Sequence, residues 1–259
     1  MSFSSSWLAL RSDADRRARS TLTTRLTRLT EPMRRPLRVI DIGSGTGATV
    51  RELFPHIRPP QDWTLVDADP ELLAIAKAQL AGHGGLRIAT HVADLRVEPL
   101  WTEPPDVVTA SAVFDITSQE FVDRLAKALA AHKIPFLSML TYDGRLAITP
   151  EHPFDETVIE AFNAHQRGEK SFGPALGPAA ADALTTALRA VGATVEEADS
   201  AWSLQWQLDP ELMQATLDGF AAAATEILPE RADEVAAWRR DRKTVSTIFV
   251  GHRDHFATF

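Results

Sequence analysis

Residues 39–48, VIDIGSGTGA, constrain the fold of this 259-residue chain more than any other segment. An almost unbroken apolar run, LRVIDIG at 37–43, ends in an acid and a glycine, the pattern of a strand buried on both faces of a parallel sheet. Three glycines, Gly43, Gly45 and Gly47, then lead into a helix. Glycine suits such a turn because the backbone adopts angles other residues resist, and because a ligand must come close to the main chain. The spacing is G-x-G-x-G, not the G-x-G-x-x-G of dinucleotide-binding turns. Asp41 beside the turn disfavours a pyrophosphate and suits a cationic, amino-bearing ligand.

Similar apolar runs recur at 63–69, 86–94, 106–114 and 134–140. Helical stretches separate several of them. Pro70 stands at a favoured first helical position, with Asp69 as the cap of helix 70–81. Thr117 and Glu120 are spaced as a capping box ahead of the next helix. Alternation at this spacing predicts an open α/β sheet with right-handed crossovers. Upstream, Leu8, Ala14, Ala18, Leu22, Leu26 and Leu29 form one apolar stripe, which predicts a single helix over 5–29 capped by Ser4, Ser5 or Ser6. After the fifth strand the rhythm changes. A turn at Asp143-Gly144 is expected to open an insertion over 143–177, with a short helix at 155–166 and the loop QRGEKSFGPALGP. A helix at 178–191, a strand at 194–199, helices near 209–226 and 230–242 and a strand at 246–252 complete the prediction.

In its motifs the sequence resembles the class I S-adenosylmethionine-dependent methyltransferases, with ordered motifs over 37–142 and a looser likeness beyond. Asp41 with Gly43, Ser44, Gly45 and Gly47 is similar to the family's first motif, which holds the methionine part of the cofactor. Asp67 closes the second strand 26 residues past Asp41, where the family places the acid that accepts hydrogen bonds from the ribose hydroxyls. By the same resemblance Ala68 would pack on the adenine, Asp94-Leu95 would meet its edge, and Ser111 would offer a backbone contact to the methionine amine. Any one acid at a strand end is an ordinary cap or turn residue. Four such sites in order on successive strand ends are not. The resemblance implies an α/β, Rossmann-like, seven-stranded, mostly parallel sheet with helices on both faces. It is expected as one domain over 1–259: an N-terminal helical cap (1–36), a cofactor-binding core (37–142), the lid insertion (143–177) and the rest of the sheet with extra helices (178–259).

Charge sharpens the picture. The chain carries 27 basic and 35 acidic side chains, a net of −8, but residues 1–38 hold nine arginines against three acids. The remainder is therefore strongly acidic, which argues against extended nucleic-acid binding. The arginine-rich helix could close over the cofactor and pair with its carboxylate; Arg19, beside the apolar stripe, is the first candidate and Arg11 the second. With no cysteine there is no disulfide, thiol nucleophile or Cys-based metal site, and no His/carboxylate cluster suggests a metal. The absence of an 18-residue apolar run, and Asp13 and Asp15 interrupting the N-terminal segment, make a cytoplasmic protein without membrane spans the expectation.

The acceptor is less legible, because a sulfonium is already activated and alignment supplies much of the catalysis. SAVFDIT after the fourth strand lacks the Pro-Pro-aromatic loop of amino-methylating nucleic-acid enzymes, and Asp115 alone does not make an aminopropyltransferase. A small molecule is the expected partner, methylated on O, N or C. Tyr142 and His165 are candidate bases, and Tyr142, His165, Arg167 and Lys170 candidate substrate residues, with Asp143 and His152 nearby. Trp202 and Trp206 could wall the pocket or pack the core. An RNA-directed methyltransferase using the arginine-rich helix, and a non-catalytic cofactor-binding protein, are the alternatives. Nothing in the sequence sets the oligomeric state.

Overall fold

The computed structural model describes residues 4–19, 21–58 and 60–259. In chain order the elements are α1 (Ser5–Ala18), α2 (Thr23–Thr30), β1 (Leu37–Ile42), α3 (Ala48–Leu53), β2 (Gln61–Asp67), α4 (Pro70–Leu80), β3 (Leu86–Val92), β4 (Val107–Ser111) and α5 (Gln119–His132). They continue with β5 (Phe136–Thr149), α6 (Asp155–Gln166), the short pair β6 (Glu169–Lys170) and β7 (Gly173–Pro174), α7 (Ala180–Ala190), β8 (Thr194–Asp199), β9 (Trp202–Gln205), α8 (Pro210–Ile227), α9 (Ala232–Asp241) and β10 (Thr247–Thr258). The main sheet runs β3-β2-β1-β4-β5-β10-β8. The first five strands in that order are parallel to one another, whereas β10 is antiparallel to β5, β8 and β9. This is the α/β, Rossmann-like, mostly parallel sheet expected.

An eighth strand joins the seven, because the four residues of β9 pair with the first half of β10. A segment that short, followed at once by a turn, carries too little alternation to read as a strand. The expected turn at Asp143-Gly144 is a kink within β5. Gly144 does take a positive φ of 85°, but pairing with β10 resumes beyond it. Between the pairs Val250↔Leu146 and His252↔Tyr142 the register slips, with Gly251 opposite the extra residues. A Cβ on Gly251 would lie 2.2 Å from Asp143 Oδ1. The insertion therefore begins after Thr149, not at 143.

The predicted N-terminal helix is also two. Between α1 and α2 stands a Ser/Thr-rich stretch, whose hydroxyls compete for backbone hydrogen bonds; Ser20 within it lies outside the described residues. Thr24 Oγ1 donates to the Thr21 carbonyl at 2.6 Å. The two helices serve different cores. Ala14 of α1 packs with Tyr142, Trp202, Phe220 and Trp238, around the distal halves of β5 and β10 and the helices α6, α8 and α9. Leu26 of α2 packs instead on the opposite group, Leu37, Trp63, Leu65 and Leu73, under one face of the parallel strands. The other face is covered by α5 and α7 around Phe114, Leu125, Phe136 and Leu184. The cap of α5 is Ser118, which accepts from Phe121 N, not Thr117, whose hydroxyl donates to the Phe114 carbonyl. Strand β3, expected to be buried, is the sheet's outer edge and mostly exposed. No described helix is long and apolar enough to cross a membrane.

Candidate functional site

In an open α/β sheet ligands bind outside the carboxyl ends of the strands where the order reverses. Here that point lies between β1 and β4, and a cleft of about 950 Å³ opens there. Its floor is the 43–46 turn after β1, its far wall Ala68 and Leu72 beyond β2, and its other side Ser111 and Val113 beyond β4. Helix α1 roofs one end through Leu8, Arg11 and Asp15, and the tip of the insertion, Ser171-Phe172, reaches the other. Such a volume is at the upper end of small-molecule sites, about 300–1,000 Å³.

The glycines have separable reasons. Gly43 has φ +65° and a Cβ there would sit 2.2 Å from Val113 Cγ2, so its bareness lets the β4 loop lie against the turn. Gly47 (φ +79°) caps α3 and faces Ala76 and Leu80 of α4 at 3.2 and 3.1 Å. Gly45 donates its N–H to Asp67 Oδ2 at 2.8 Å, and Asp69 N donates to Oδ1 at 3.0 Å. The turn and the second-strand acid are thus locked together at the cleft wall. Asp69 itself caps α4, as its position suggested, while also facing the cleft. Asp94 and Leu95 line the cleft as well. Asp94 is gripped by Arg96, Nε to Oδ1 at 2.8 Å and Nη2 to Oδ2 at 2.6 Å, which with the Arg96 N–H holds the carboxyl down at about 2. Arg96 Nη1 also donates to the Ser171 carbonyl at 2.8 Å, tying the insertion's tip to this end of the cleft.

Asp41 and Gly47 do not line the cleft. Asp41 is fully buried beneath the turn, its Oδ1 taking a hydrogen bond from Thr109 Oγ1 at 2.7 Å while Oδ2 has no partner. Burial pushes its carboxyl up to about 7 despite the Thr109, Thr49 and Ser44 hydroxyls and the nearby charge of Arg19. Arg19, the first candidate for a cofactor contact, is in this buried layer too, its Nε without a partner, and is not in the cleft wall. The reason is the helix break: Arg19 is the C-cap of α1 in extended conformation and so turns off the helix face. Of the two N-terminal candidates, Arg11 is the one that faces the cleft. It is held from two sides: Nε and Nη2 reach Asp15 at 2.9 and 3.1 Å, and its guanidinium carbon lies 4.8 Å from the Trp202 ring. Trp202 Nε1 in turn donates to Asp15 Oδ1 at 3.0 Å, so Trp202 packs the core and braces the site at once.

Residues 39–133 match the profile of a family described as a methyltransferase domain. The chain carries a methyltransferase domain. The match covers the turn and the segment from β1 through α5, and the methyl donor of the class I domains it resembles is S-adenosylmethionine. No curated protein matches the sequence. Solved structures with similar folds include the YcgJ protein from Bacillus subtilis (16% identity, 91% of this chain and 97% of that one, TM-score 0.53). Another is a cyclopropane-fatty-acyl-phospholipid synthase-like protein from Lactobacillus casei (14% identity, 96% and 99%, TM-score 0.57).

The fold holds the candidate substrate residues read from the sequence apart from the cleft wall. Tyr142 is buried and donates to Asn163 Oδ1 at 2.6 Å. Burial, and the charges of Asp143 and Asp115, push its phenol well above the ordinary value. His165 Nε2 meets Glu226 Oε2 of α8 at 3.2 Å, and Arg167 Nη1 donates to the Asn163 carbonyl. Lys170 precedes the cleft-lining tip. His152 accepts from Phe154 N through Nδ1, Asp143 pairs with Arg145, and Trp206 is exposed. Sequence reasoning missed Thr109, Arg96 and His252. The first two are adjacent in space to motif acids but carry no motif of their own. His252 lies between the Trp202 and Tyr142 rings, neutral because burial lowers it to about 3. Among the described residues no group of three His, Asp or Glu side chains could hold a metal ion.

Proposed function

We propose that residues 1–259 form one methyltransferase domain that binds S-adenosylmethionine in this cleft and methylates a small molecule. The observation that carries the reading is the convergence on one cleft of the glycine turn, Asp67, Asp94 and, at the end roofed by α1, the braced cation Arg11. The cofactor supplies a methyl group on a sulfonium that leaves as a neutral thioether. Asp67, with both oxygens already aligned by backbone N–H groups, would accept from the ribose hydroxyls. Ala68, Leu72 and Leu95 would pack the adenine, Asp94 would meet its edge, and Ser111 would contact the methionine amine through its backbone. Arg11, not Arg19, would pair with the methionine carboxylate, since Arg11 lines the cleft and its Nη1 is not engaged by Asp15.

The basic N-terminus supports a small acceptor over RNA. Arg17 pairs with Asp209, Arg25 with Glu196, Arg35 with Asp106 and Arg38 with Glu103 and Asp106, while Arg11 and Arg16 pair within α1. Cations already matched by the acidic body have little left for phosphates. The test is methyl-labelled S-adenosylmethionine incubated with the enzyme and a fractionated cell extract. Label should enter the low-molecular-weight fraction. Label in RNA, or no calorimetric binding of S-adenosylhomocysteine, would refute the reading.

A further inference from the structure

The tip of the insertion is a wall of the cleft that lies outside the family match, which ends at residue 133. Ser171 and Phe172 form the two-residue turn between β6 and β7, and both line the cleft. The tip is fixed from three sides. Arg96 Nη1 donates to the Ser171 carbonyl at 2.8 Å while the same guanidinium grips Asp94. Leu176 N donates to the Thr117 carbonyl at 2.8 Å, which ties the chain beyond β7 to the segment leading into α5. The Phe172 ring meets Phe121, a buried residue of α5, edge to face with centroids 4.9 Å apart. Gly173 follows the turn with a φ of 89°, the left-handed position that glycine favours there. A turn pinned in this way is a fixed wall, not a flap.

That wall is apolar and only partly covered. Phe172 stays half-buried although it packs on Phe121, and Ile116 is half-buried too. Val92, at the end of β3, is 53% exposed. All three line the cleft. Apolar surface gathered in a cleft, rather than scattered singly, marks a place for an apolar part of a ligand. The Arg96 bridge says which part. It ties the tip to Asp94, the residue that meets the adenine edge in the cofactor reading, so the tip stands at the base and not at the methionine. In that reading Ala68, Leu72 and Leu95 pack the adenine, which leaves its flank toward α5 to be covered. We infer that Phe172, held by the Arg96 bridge, supplies that flank, so that the tip of the insertion is a purine-binding element of this chain. The assignment rests on the cofactor reading above.

Two ligands test it, S-adenosylhomocysteine and 5′-methylthioadenosine, which share the adenosine and differ in the amino-acid part. Contact between an aromatic side chain and a base is worth about 5- to 150-fold in affinity by alanine substitution. In calorimetry Phe172→Ala should therefore weaken both ligands by such a factor and to the same extent. Phe172→Trp keeps an aromatic wall and should bind both nearly as the wild type does. On saturation with either ligand its indole emission should be quenched by more than that of the six native tryptophans alone. A ring that only packs the fold gives no such signal, and methionine, which lacks the base, should give none. Unchanged affinity of Phe172→Ala for both ligands, weakening of S-adenosylhomocysteine alone, or absence of the extra quench in Phe172→Trp overturns the assignment and leaves the cofactor reading intact. Failure of the wild type to bind S-adenosylhomocysteine overturns the cofactor reading, and this assignment with it.

Discussion

Replacing Arg11 tests the geometry of the roof most sharply. In the structure its guanidinium is fixed by two hydrogen bonds to Asp15 and by the Trp202 ring, leaving Nη1 for a ligand. A hydrogen bond to a charged group contributes about 1.5–3 kcal/mol. Arg11→Met should therefore weaken S-adenosylhomocysteine by roughly 10- to 150-fold. The substitution has a side effect, since Asp15 is only 11% exposed at its side chain and would lose its ion partner. Breaking a buried pair can destabilise by about 3–5 kcal/mol, less here because Trp202 Nε1 still donates to Asp15. The double variant Arg11→Met/Asp15→Asn removes that residual charge and isolates the ligand contact. Calorimetry with two ligands decides the matter. 5′-Methylthioadenosine shares the adenosine and thioether but has no carboxylate, so both variants should bind it like the wild type. Equal weakening of the two ligands would mean that Arg11 merely shapes the cleft. No weakening of either would return the carboxylate to Arg19 or to solvent.

Three further outcomes follow from the same geometry. Asp67→Asn should weaken S-adenosylhomocysteine by about 10- to 100-fold, since hydrogen bonds to a charged group lose strength when it becomes neutral; titration calorimetry at fixed salt measures it. Gly43→Ala should destabilise by about 2–4 kcal/mol through overpacking and a left-handed φ, and Val113→Ala should recover the overpacking part because the clash is with its Cγ2; thermal unfolding of the double variant reads this. Asp41 has a carboxyl raised to about 7, so the folded state holds the proton more tightly than the unfolded one. Its stabilising influence is fully present below the unfolded value near 4 and is lost as pH rises to about 7. Asp41→Asn should accordingly gain stability relative to the wild type on going from pH 5 to pH 8 in denaturant titrations of the ligand-free protein, and a pH-independent difference would refute the burial argument.

Much of this protein is local in origin and was legible in its sequence. The β1 run, the glycine turn, Asp67 closing β2 and Asp69 capping α4 depend on neighbours within a few residues, and burial on both faces writes itself as continuous apolarity. Helix α6 starts and stops where its periodicity does. What failed were features in which distant chain decides. Gly144 has the backbone of a turn, yet β10 pairs on either side of it and keeps the strand going. The stripe from Leu8 to Leu29 is real, yet two separate cores draw its halves in different directions and break it at Arg19. That break decided which arginine meets the cleft, and no spacing could have shown it. Asp41 likewise reads as a ligand-facing acid, but the sheet puts it one layer beneath the turn, against Thr109 of β4, 68 residues away.

The charge asymmetry shows the division most plainly. The sequence by itself determined that a basic N-terminus faces an acidic remainder, because formal charge is set by composition alone. Only the tertiary structure decided that Arg17, Arg25, Arg35 and Arg38 spend their charge on Asp209, Glu196, Asp106 and Glu103, since ion pairing acts over a few ångströms and the partners lie up to 192 residues away. The same folding leaves Arg11 at the cleft. Periodicity specifies elements, and packing specifies which side chain is left over for chemistry.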